Sequence, residues 1–476
     1  MTFTTREFLV FMSVVFCVYY IVPKRFQWIV LLFANTYFYY CSGWVGMLFF
    51  AGVIALSYGA GLWIEKTGKK GIAIGASVGM AVLLLAVMRL PFASRIMPLG
   101  LSFYTLQCIG YCIEVYRKST RAERNPAKYA LYISYFPHVL QGPFEDFGEL
   151  YPQLFKEHTF DYERTVYGFY RFAWGLMKKM VLADRIGYIL EPVYGDVTGY
   201  HGMTVWFAML LYSVQLYADF SGYMDMAVGC SEMLGIGIRE NFNVPYGSKS
   251  MTEFWRRWHM SLGLWFKNYV FYPVLRTKIC MSIQKKMKAE KKKYLMKVIP
   301  TTIALTVNWT LIGLWHGFDL NYLCYDWFCG LLIILAEIMK PVYTGVNKKF
   351  SKVFESKWMD GLRVIRTYLV VSFSFLFFRP DTISDSAVLI RNLFTKPDFV
   401  RFAEFIYWDL YDIFLILIPM LLLAVVDGMK YCGKDVFKKV HSLPAPVRWA
   451  IYVAGILLIY ITKGDRSGTG FAYYVF

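Results

Sequence analysis

A chain of 476 residues that is 57% hydrophobic and 19% aromatic, with a mean hydropathy of +0.41, does not have the composition of a soluble protein. Charged residues make up 18%, where about a quarter is ordinary for a soluble domain, so the chain reads as one polytopic α-helical membrane domain. The formal net charge of +18 is explained by Lys and Arg in cytosolic loops beside anionic lipid headgroups, and nucleic acid is excluded as the expected partner.

Nine cysteines lie mostly within apolar runs and form no CxxC pair. They read as small buried hydrophobes rather than a metal site or a disulfide framework. The first apolar run, 8–22, has no small-residue cleavage site before Pro23-Lys24-Arg25 and predicts a retained span. Positions 26–64 carry no charge. That is too long for one pass of about 20 residues, and Ser42-Gly43 divides it into two. Lys66, Lys69 and Lys70 mark a cytosolic turn. The next span, 71–88, carries Gly71, Gly75 and Gly79 at every fourth position, a small-residue face that predicts close helix packing.

A further segment runs over 98–116 and is followed by a basic stretch, 117–128. The apolar run after it is broken at Pro137 and again at Gly142-Pro143, the pattern of a re-entrant or cavity-lining segment. His138 on this run either lines that cavity or is a structural core histidine. Residues 165–195 predict a helix whose basic end, Lys178, Lys179 and Arg185, sits at a cytosolic interface, and 202–218 predicts a plain span. Positions 276–297 hold nine basic residues and one acid, Glu290, and read as a cytosolic loop. Later spans are expected at 298–318, 322–339, 364–378, 406–426 and 446–462, with a basic loop at 430–439. If that loop is cytosolic, the last helix exits outward and the aromatic end of the chain lies outside.

One stretch, 219–273, departs from this pattern because ionisable groups crowd into it. A charged group at membrane depth costs about 2.5–3.5 kcal/mol on insertion scales, which makes such a cluster a candidate site. Pro245 ends any helix entering from 219, so 241–246 is a loop. Ser250 and Glu253 form a capping box, predicting one helix through 254–266 with Trp255, Trp258, His259 and Leu262 on a common face. Arg256 and Arg257 would point away, towards lipid phosphates, Asp219 or Asp225. A second histidine, His316, stands in IGLWHG, with Gly317 after it to let a group approach the backbone. A neutral imidazole is the cheapest ionisable group to keep in a membrane and suits general-base work near neutral pH. Two such histidines with no Cys or carboxylate at metal-ligand spacing point to proton transfer. The residues by themselves leave a membrane enzyme and a proton-coupled transporter both open.

The strings YADFSGYMDMAVGCSEMLGI, ENFNVPYGSKSMTEFWRRWHMSLGLWFKNYVFYP and GLWHG resemble the signature of membrane-bound O-acyltransferases. The likeness is to the bacterial branch that modifies cell-surface polysaccharides, of alginate O-acetylation type, and more distantly to the teichoic acid D-alanyl transfer type. MPLGLSFYTLQCIGYCIEVYR, YFPHVLQGPF, WGLMKKMVLADR, FSFLFFRPDTISDSAVLIRNLF and the terminal FAYYVF extend the resemblance over most of the chain beyond about residue 97.

The resemblance implies an all-α ring of roughly 10–12 transmembrane helices, with re-entrant and short helices, around a central tunnel. It implies a single domain over 1–476: amino-terminal spans 1–95, a catalytic core 96–340, carboxy-terminal spans 341–462 and an aromatic tail 463–476. His316 takes the role of the essential histidine and His259 lines the same tunnel. Asp219, Asn241, Asn243, Trp255, Arg257, Trp258 and Trp315 are its expected supports. Tyr473 in the tail is a candidate acyl relay, with Tyr474 beside it as the alternative. The implied reaction needs no bound cofactor or metal. It moves an acyl group, acetyl first, from a cytosolic thioester (acetyl-CoA or an acyl carrier protein) across the bacterial plasma membrane. The implied partners are membrane lipids and an extracytoplasmic SGNH or lipase-like transferase. D-alanyl transfer to teichoic acid is the alternative within the enzyme class, and a proton-coupled transporter the alternative outside it.

Overall fold

Every regular element among the described residues is helical. The computed structural model describes residues 1–88, 100–396, 398–406 and 410–462. The tail that carries Tyr473 and Tyr474 lies outside them.

The amino-terminal part is α1 (Arg6–Ile21), α2 (Gln27–Tyr40), α3 (Trp44–Thr67) and α4 (Lys70–Met88). Gly43 separates α2 from α3 with a φ of 121°, a conformation open to glycine, as the expected break at Ser42-Gly43 requires. Among the described residues, a methyl group at Gly71, Gly75 or Gly79 of α4 would have nothing within 4 Å. The expected close contact is therefore not made by these glycines.

Next come α5 (Leu101–Tyr116) and the interrupted stretch α6 (Pro126–Ser134), α7 (Phe136–Val139) and α8 (Phe147–Leu154). Asn125 caps α6 by accepting from the N–H groups of Ala127 and Lys128. The segment between α6 and α8 is buried, so its backbone polar groups must find partners inside the protein. Gln107 of α5 supplies one set, donating to the Glu145 carbonyl at 2.6 Å and accepting from the Glu145 N–H at 3.3 Å. His138 is buried and its Nε2 lies 3.2 Å from the Tyr132 carbonyl, which is the structural of its two readings.

The centre of the molecule is the crossing of α9 (Tyr162–Leu176) with α11 (Met203–Met233), the latter 31 residues long. The two backbones meet at paired glycines. A Cβ on Gly168 would lie 2.7 Å from the Gly229 carbonyl oxygen, and one on Gly175 would lie 2.5 Å from that of Gly222. Each pair is seven residues apart along its own helix, so it recurs on one face every two turns. Only residues without a side chain permit this approach, the device that membrane helices use for close packing.

That approach sets the charges. Between α9 and α10 (Asp184–Gly195), residues Met177–Ala183 form a π-helical stretch. Adjacent residues of an α-helix diverge by about 100°, and the wider turn here lets Lys178 and Lys179 both point at α11. Lys178 pairs with Asp225 at 2.5 Å, Lys179 with Asp219 at 2.6 Å and with Asp184 at 2.7 Å, and Arg171 with Asp225 at 2.5 Å. The expectation of an interfacial basic end is therefore corrected: Lys178 and Lys179 are buried ion-pair partners. Asp219 and Asp225 in turn are matched by these cations, not by Arg256 or Arg257.

After α11 the chain continues through α12 (Met251–Arg257), α13 (Met260–Phe266), α14 (Lys278–Ala289), α15 (Lys293–His316), α16 (Leu320–Ile338), α17 (Lys357–Phe378), α18 (Leu410–Tyr431), α19 (Val436–His441) and α20 (Ala445–Thr462). The basic stretch expected to be a loop at 276–297 is mostly helix, α14 and the start of α15, with Thr277 capping α14 through the Cys280 N–H. Among the described residues, five helices are long and apolar enough to cross a membrane: α3, α15, α16, α17 and Ile413–Tyr431 within α18. The expected spans at 298–318, 322–339, 364–378 and 446–462 correspond to α15, α16, α17 and α20.

Candidate functional site

The helix expected over 254–266 is broken at its centre. Ser250 caps α12 by accepting from the Glu253 N–H at 3.2 Å, and Glu253 reaches back to the Lys249 N–H at 2.9 Å, a capping box shifted by one residue. The helix then stops at Arg257. Trp258 is extended, and His259 has a φ of 46°, in the left-handed region that costs a non-glycine residue about 1–2 kcal/mol. The loop before α12 straps this break. The Asn243 N–H donates to the Arg257 carbonyl at 2.9 Å and the Met260 N–H to the Asn241 carbonyl at 3.0 Å. Asn241 Oδ1 also accepts from the Ser261 N–H at 2.9 Å and from its hydroxyl at 3.0 Å. Four hydrogen bonds of about 1 kcal/mol each offset the strain.

The consequence is a directed imidazole. His259 Nδ1 lies 3.2 Å from Asn241 Oδ1. Because that oxygen accepts from Ser261, it accepts from His259 too, so the proton of the neutral imidazole sits on Nδ1 and the lone pair on Nε2. Aromatic rings wall the side chain: Phe220 edge-on at 4.8 Å, Phe144 at 6.1 Å and Trp315 at 6.3 Å between centroids.

His316 ends α15, with the ring centroid of Trp315 4.9 Å away. Trp315 is itself held by its indole N–H, which donates to the Ser102 carbonyl of α5 at 3.2 Å. Phe378 of α17 stands edge-on to His316 at 5.6 Å, and Tyr325 of α16 lies at 6.3 Å. Gly317 lets the ring of Tyr322 close over the helix end, since a Cβ there would be 2.6 Å from Tyr322 Cδ2. The expectation that something approaches the backbone at Gly317 thus has its partner. Both histidines are 2% exposed. His316 Nε2 faces Asp326 Oδ2 at 3.9 Å.

The other expected site residues are distributed around this pair. Trp258 is stacked on Phe254 at 5.4 Å and packs edge-on against Phe242 at 5.0 Å. Trp255 meets Trp309 of α15 at 4.9 Å, tying α12 to the helix that carries His316. Arg257 pairs with Glu253 at 2.8 Å and lies over the Tyr431 ring at 5.3 Å. Asn243 is exposed and joins the strap through its backbone. Asp219 belongs to the ion-pair network, not to the histidine cluster.

A cavity of about 400 Å³ opens beside the cluster, lined among others by Arg171, Lys178, Tyr217, Met224, Asp225 and Phe242. Met224 is the link to the histidines, because its sulfur accepts from Asn241 Nδ2 at 3.3 Å. Arg171, Lys178, Asp225 and Glu240 in its walls are joined by ion pairs.

Residues 117–287 match the family model described as MBOAT, membrane-bound O-acyltransferase family. The chain is 33% identical over 432 residues to the probable alginate O-acetylase AlgI of Azotobacter vinelandii, covering 84% of this chain and 79% of that one. It is 30% identical over 427 residues to the AlgI of Pseudomonas aeruginosa, covering 83% and 75%. The chain belongs to the membrane-bound O-acyltransferase family. It is also 29% identical over 283 residues to the teichoic acid D-alanyltransferase of Bacillus subtilis, covering 59% of this chain and 68% of that one. The chain is therefore a membrane protein and an O-acyltransferase. The family model includes His259 and ends before His316.

Two features of this O-acyltransferase are absent from the expected site residues, one of them beyond sequence reading and the other within its reach. Lys178 and Lys179 look like any basic helix end until α11 is placed against them. Asp326 was open to detection: it is an acid in the apolar run LCYDWFCGLLIIL, and the burial cost that singles out 219–273 applies to it equally.

Proposed function

We propose that this O-acyltransferase takes an acyl group, acetyl in the first instance, from a thioester on the cytosolic side of a bacterial plasma membrane and passes it outward for O-acylation of a cell-surface polysaccharide. The observation that carries the reading is the pair His259 and His316, far apart in the chain and both brought against the ring of Trp315, with centroids 6.3 and 4.9 Å away. In the proposed step His316 accepts the proton of an attacking hydroxyl, the hydroxyl oxygen bonds to the thioester carbonyl carbon, and the carbon–sulfur bond breaks. The proton then passes to the departing thiolate. His259, its tautomer set by Asn241, lies along the same path. A phenol has a reference pKa of about 10 and needs such a base near neutral pH, so Tyr473 of the tail is the proposed first acceptor. From there the group goes to an extracytoplasmic SGNH or lipase-like partner. The donor, acetyl-CoA or an acyl carrier protein, enters by the charged cavity. The aromatic residues and Lys and Arg at the rims hold the protein among membrane lipids.

The test is His316→Ala in cells that express the protein, reading the acid released from surface polymer by mild alkali. Release falls to background if the reading is right and stays at the wild-type level if it is wrong. Mass spectrometry of trapped intermediate finds the acyl group on the tail peptide; finding it on another peptide removes the relay. The match to a teichoic acid D-alanyltransferase favours one second reading, D-alanyl transfer from a carrier protein. The released acid decides between them, acetate or D-alanine.

A further inference from the structure

Asp326 is 0% exposed, on a helix that crosses the membrane by length and composition. A buried acid at that depth is expensive and normally has a cation to offset it. The contrast within the molecule is direct. Asp219 and Asp225 each sit within 2.6 Å of a lysine or arginine nitrogen. The basic side chain within 4 Å of Asp326 among the described residues is the imidazole of His316, with Nε2 and Oδ2 3.9 Å apart.

The backbone is arranged to bring the two together. Gly313 lies one turn before His316 on the same face of α15. A Cβ there would stand 3.2 Å from the Leu323 Cα and 3.4 Å from the Asp326 Cβ, so α16 comes in against bare backbone and turns Asp326 towards the helix end. The Tyr325 and Phe378 rings close the space around the imidazole and keep water from screening the pair. At 3.9 Å the two atoms are about 1 Å beyond a hydrogen bond, within reach of a side-chain rotation.

We infer that Asp326 is a positioning residue for His316. It receives the Nε2–H, which leaves Nδ1 as the proton acceptor, and its charge offsets the imidazolium that forms when the attacking hydroxyl loses its proton. The inference rests on the proposed role of His316 as base and adds to it the group that sets the tautomer and basicity of that base.

The experiment compares Asp326→Asn, Asp326→Leu and Asp326→Glu with wild type in cells. It follows the initial rate of formation of alkali-releasable ester on surface polymer per amount of protein in the membrane, with thermal melting of each purified variant in detergent alongside. Asp326→Asn is expected to lower the rate about 10- to 100-fold. Asp326→Leu lowers it as far and melts no lower than wild type, because it removes a buried acid without leaving a cation behind. Asp326→Glu recovers part of the rate, which a purely structural role would not produce. In a His316→Gln background Asp326→Asn brings no further loss. If His316→Gln is inactive and either Asp326→Asn or Asp326→Leu keeps a rate within twofold of wild type, the inference is overturned while the reading of His316 stands. If His316→Gln itself keeps full activity, the underlying reading fails and this inference with it. Asp326→Leu carries the test should Asp326→Asn not accumulate.

Discussion

The ammonium of Lys179 lies 2.6 Å from the carboxylate of Asp219, and each side chain is 3% exposed. Lys179 also serves Asp184, and its neighbour Lys178 serves Asp225, so a small cluster of charges closes the gap between α9, α10 and α11. Removing one member strands a buried charge, and breaking such a pair costs about 3–5 kcal/mol. Lys179→Met is therefore expected to lower the melting temperature in detergent sharply. Adding Asp219→Asn to that variant restores part of the loss, which two thermal melts decide.

The crossing of α9 and α11 tolerates no side chain. Gly175→Val puts a Cβ about where the Gly222 carbonyl stands, 2.5 Å away, and neither backbone can yield without opening the ion-pair cluster. Overpacking alone costs about 1–3 kcal/mol, and a backbone clash adds to that. The amount of protein recovered from the membrane should fall severely. Gly75→Ala, where nothing lies within 4 Å, should change stability by less than about 0.5 kcal/mol.

Asn241 and Asn243 look alike in the sequence and should behave differently. Asn241→Ala removes the acceptor shared by Ser261 and His259, and with it the tautomer and orientation of the imidazole. Acyl transfer is expected to drop about 10-fold or more. Asn243→Ala keeps its backbone bond to Arg257 and should leave transfer within about twofold. Equal effects would show that the side chain of Asn241 is not what directs His259.

Glu145, in the loop before α8, gives a pH signature. Burial pushes its carboxyl up to about 8, and the Arg239 N–H and guanidinium only partly oppose this. The folded state therefore keeps a proton that the unfolded chain releases near the ordinary value of 4.5. The unfolded state binds fewer protons between these two values, so stability falls as pH rises from about 5 to 8. Glu145→Gln, always neutral, should flatten this slope and melt higher than wild type at pH 8. Melts at pH 5 and pH 8 for the two proteins check both the sign and the residue.

What could be read in advance follows one rule. The spans at 298–318, 322–339 and 364–378, the break at Ser42-Gly43, the interrupted stretch around Pro137 and the cap at Ser250 depend on local sequence, and each is legible from residue type, whereas the plain span expected at 202–218 is the first half of the longer α11. The burial of His316 has a related reason, since its imidazole stands inside the apolar sequence IGLWHG. The misreadings share the opposite property. Gly71, Gly75 and Gly79 have the right spacing for a packed face but meet none of the described residues, whereas Gly168, Gly175, Gly222 and Gly229 make the contact at a spacing of seven that invites no notice. Lys178 and Lys179 read as an interfacial helix end because hydropathy cannot see the acids opposite them.

The chain by itself therefore determined the solvent: transfer free energies of local segments make this an all-helical membrane protein. Tertiary structure alone decided which faces meet. The glycine crossing of α9 and α11 turns two lysines into a buried ion-pair cluster. The strap from Asn241 breaks a helix at His259 so that its imidazole faces Trp315. The close approach at Gly313 sets Asp326 against His316. Each depends on the relative register of helices far apart in sequence, and that register follows from backbone-to-backbone packing rather than from any local propensity.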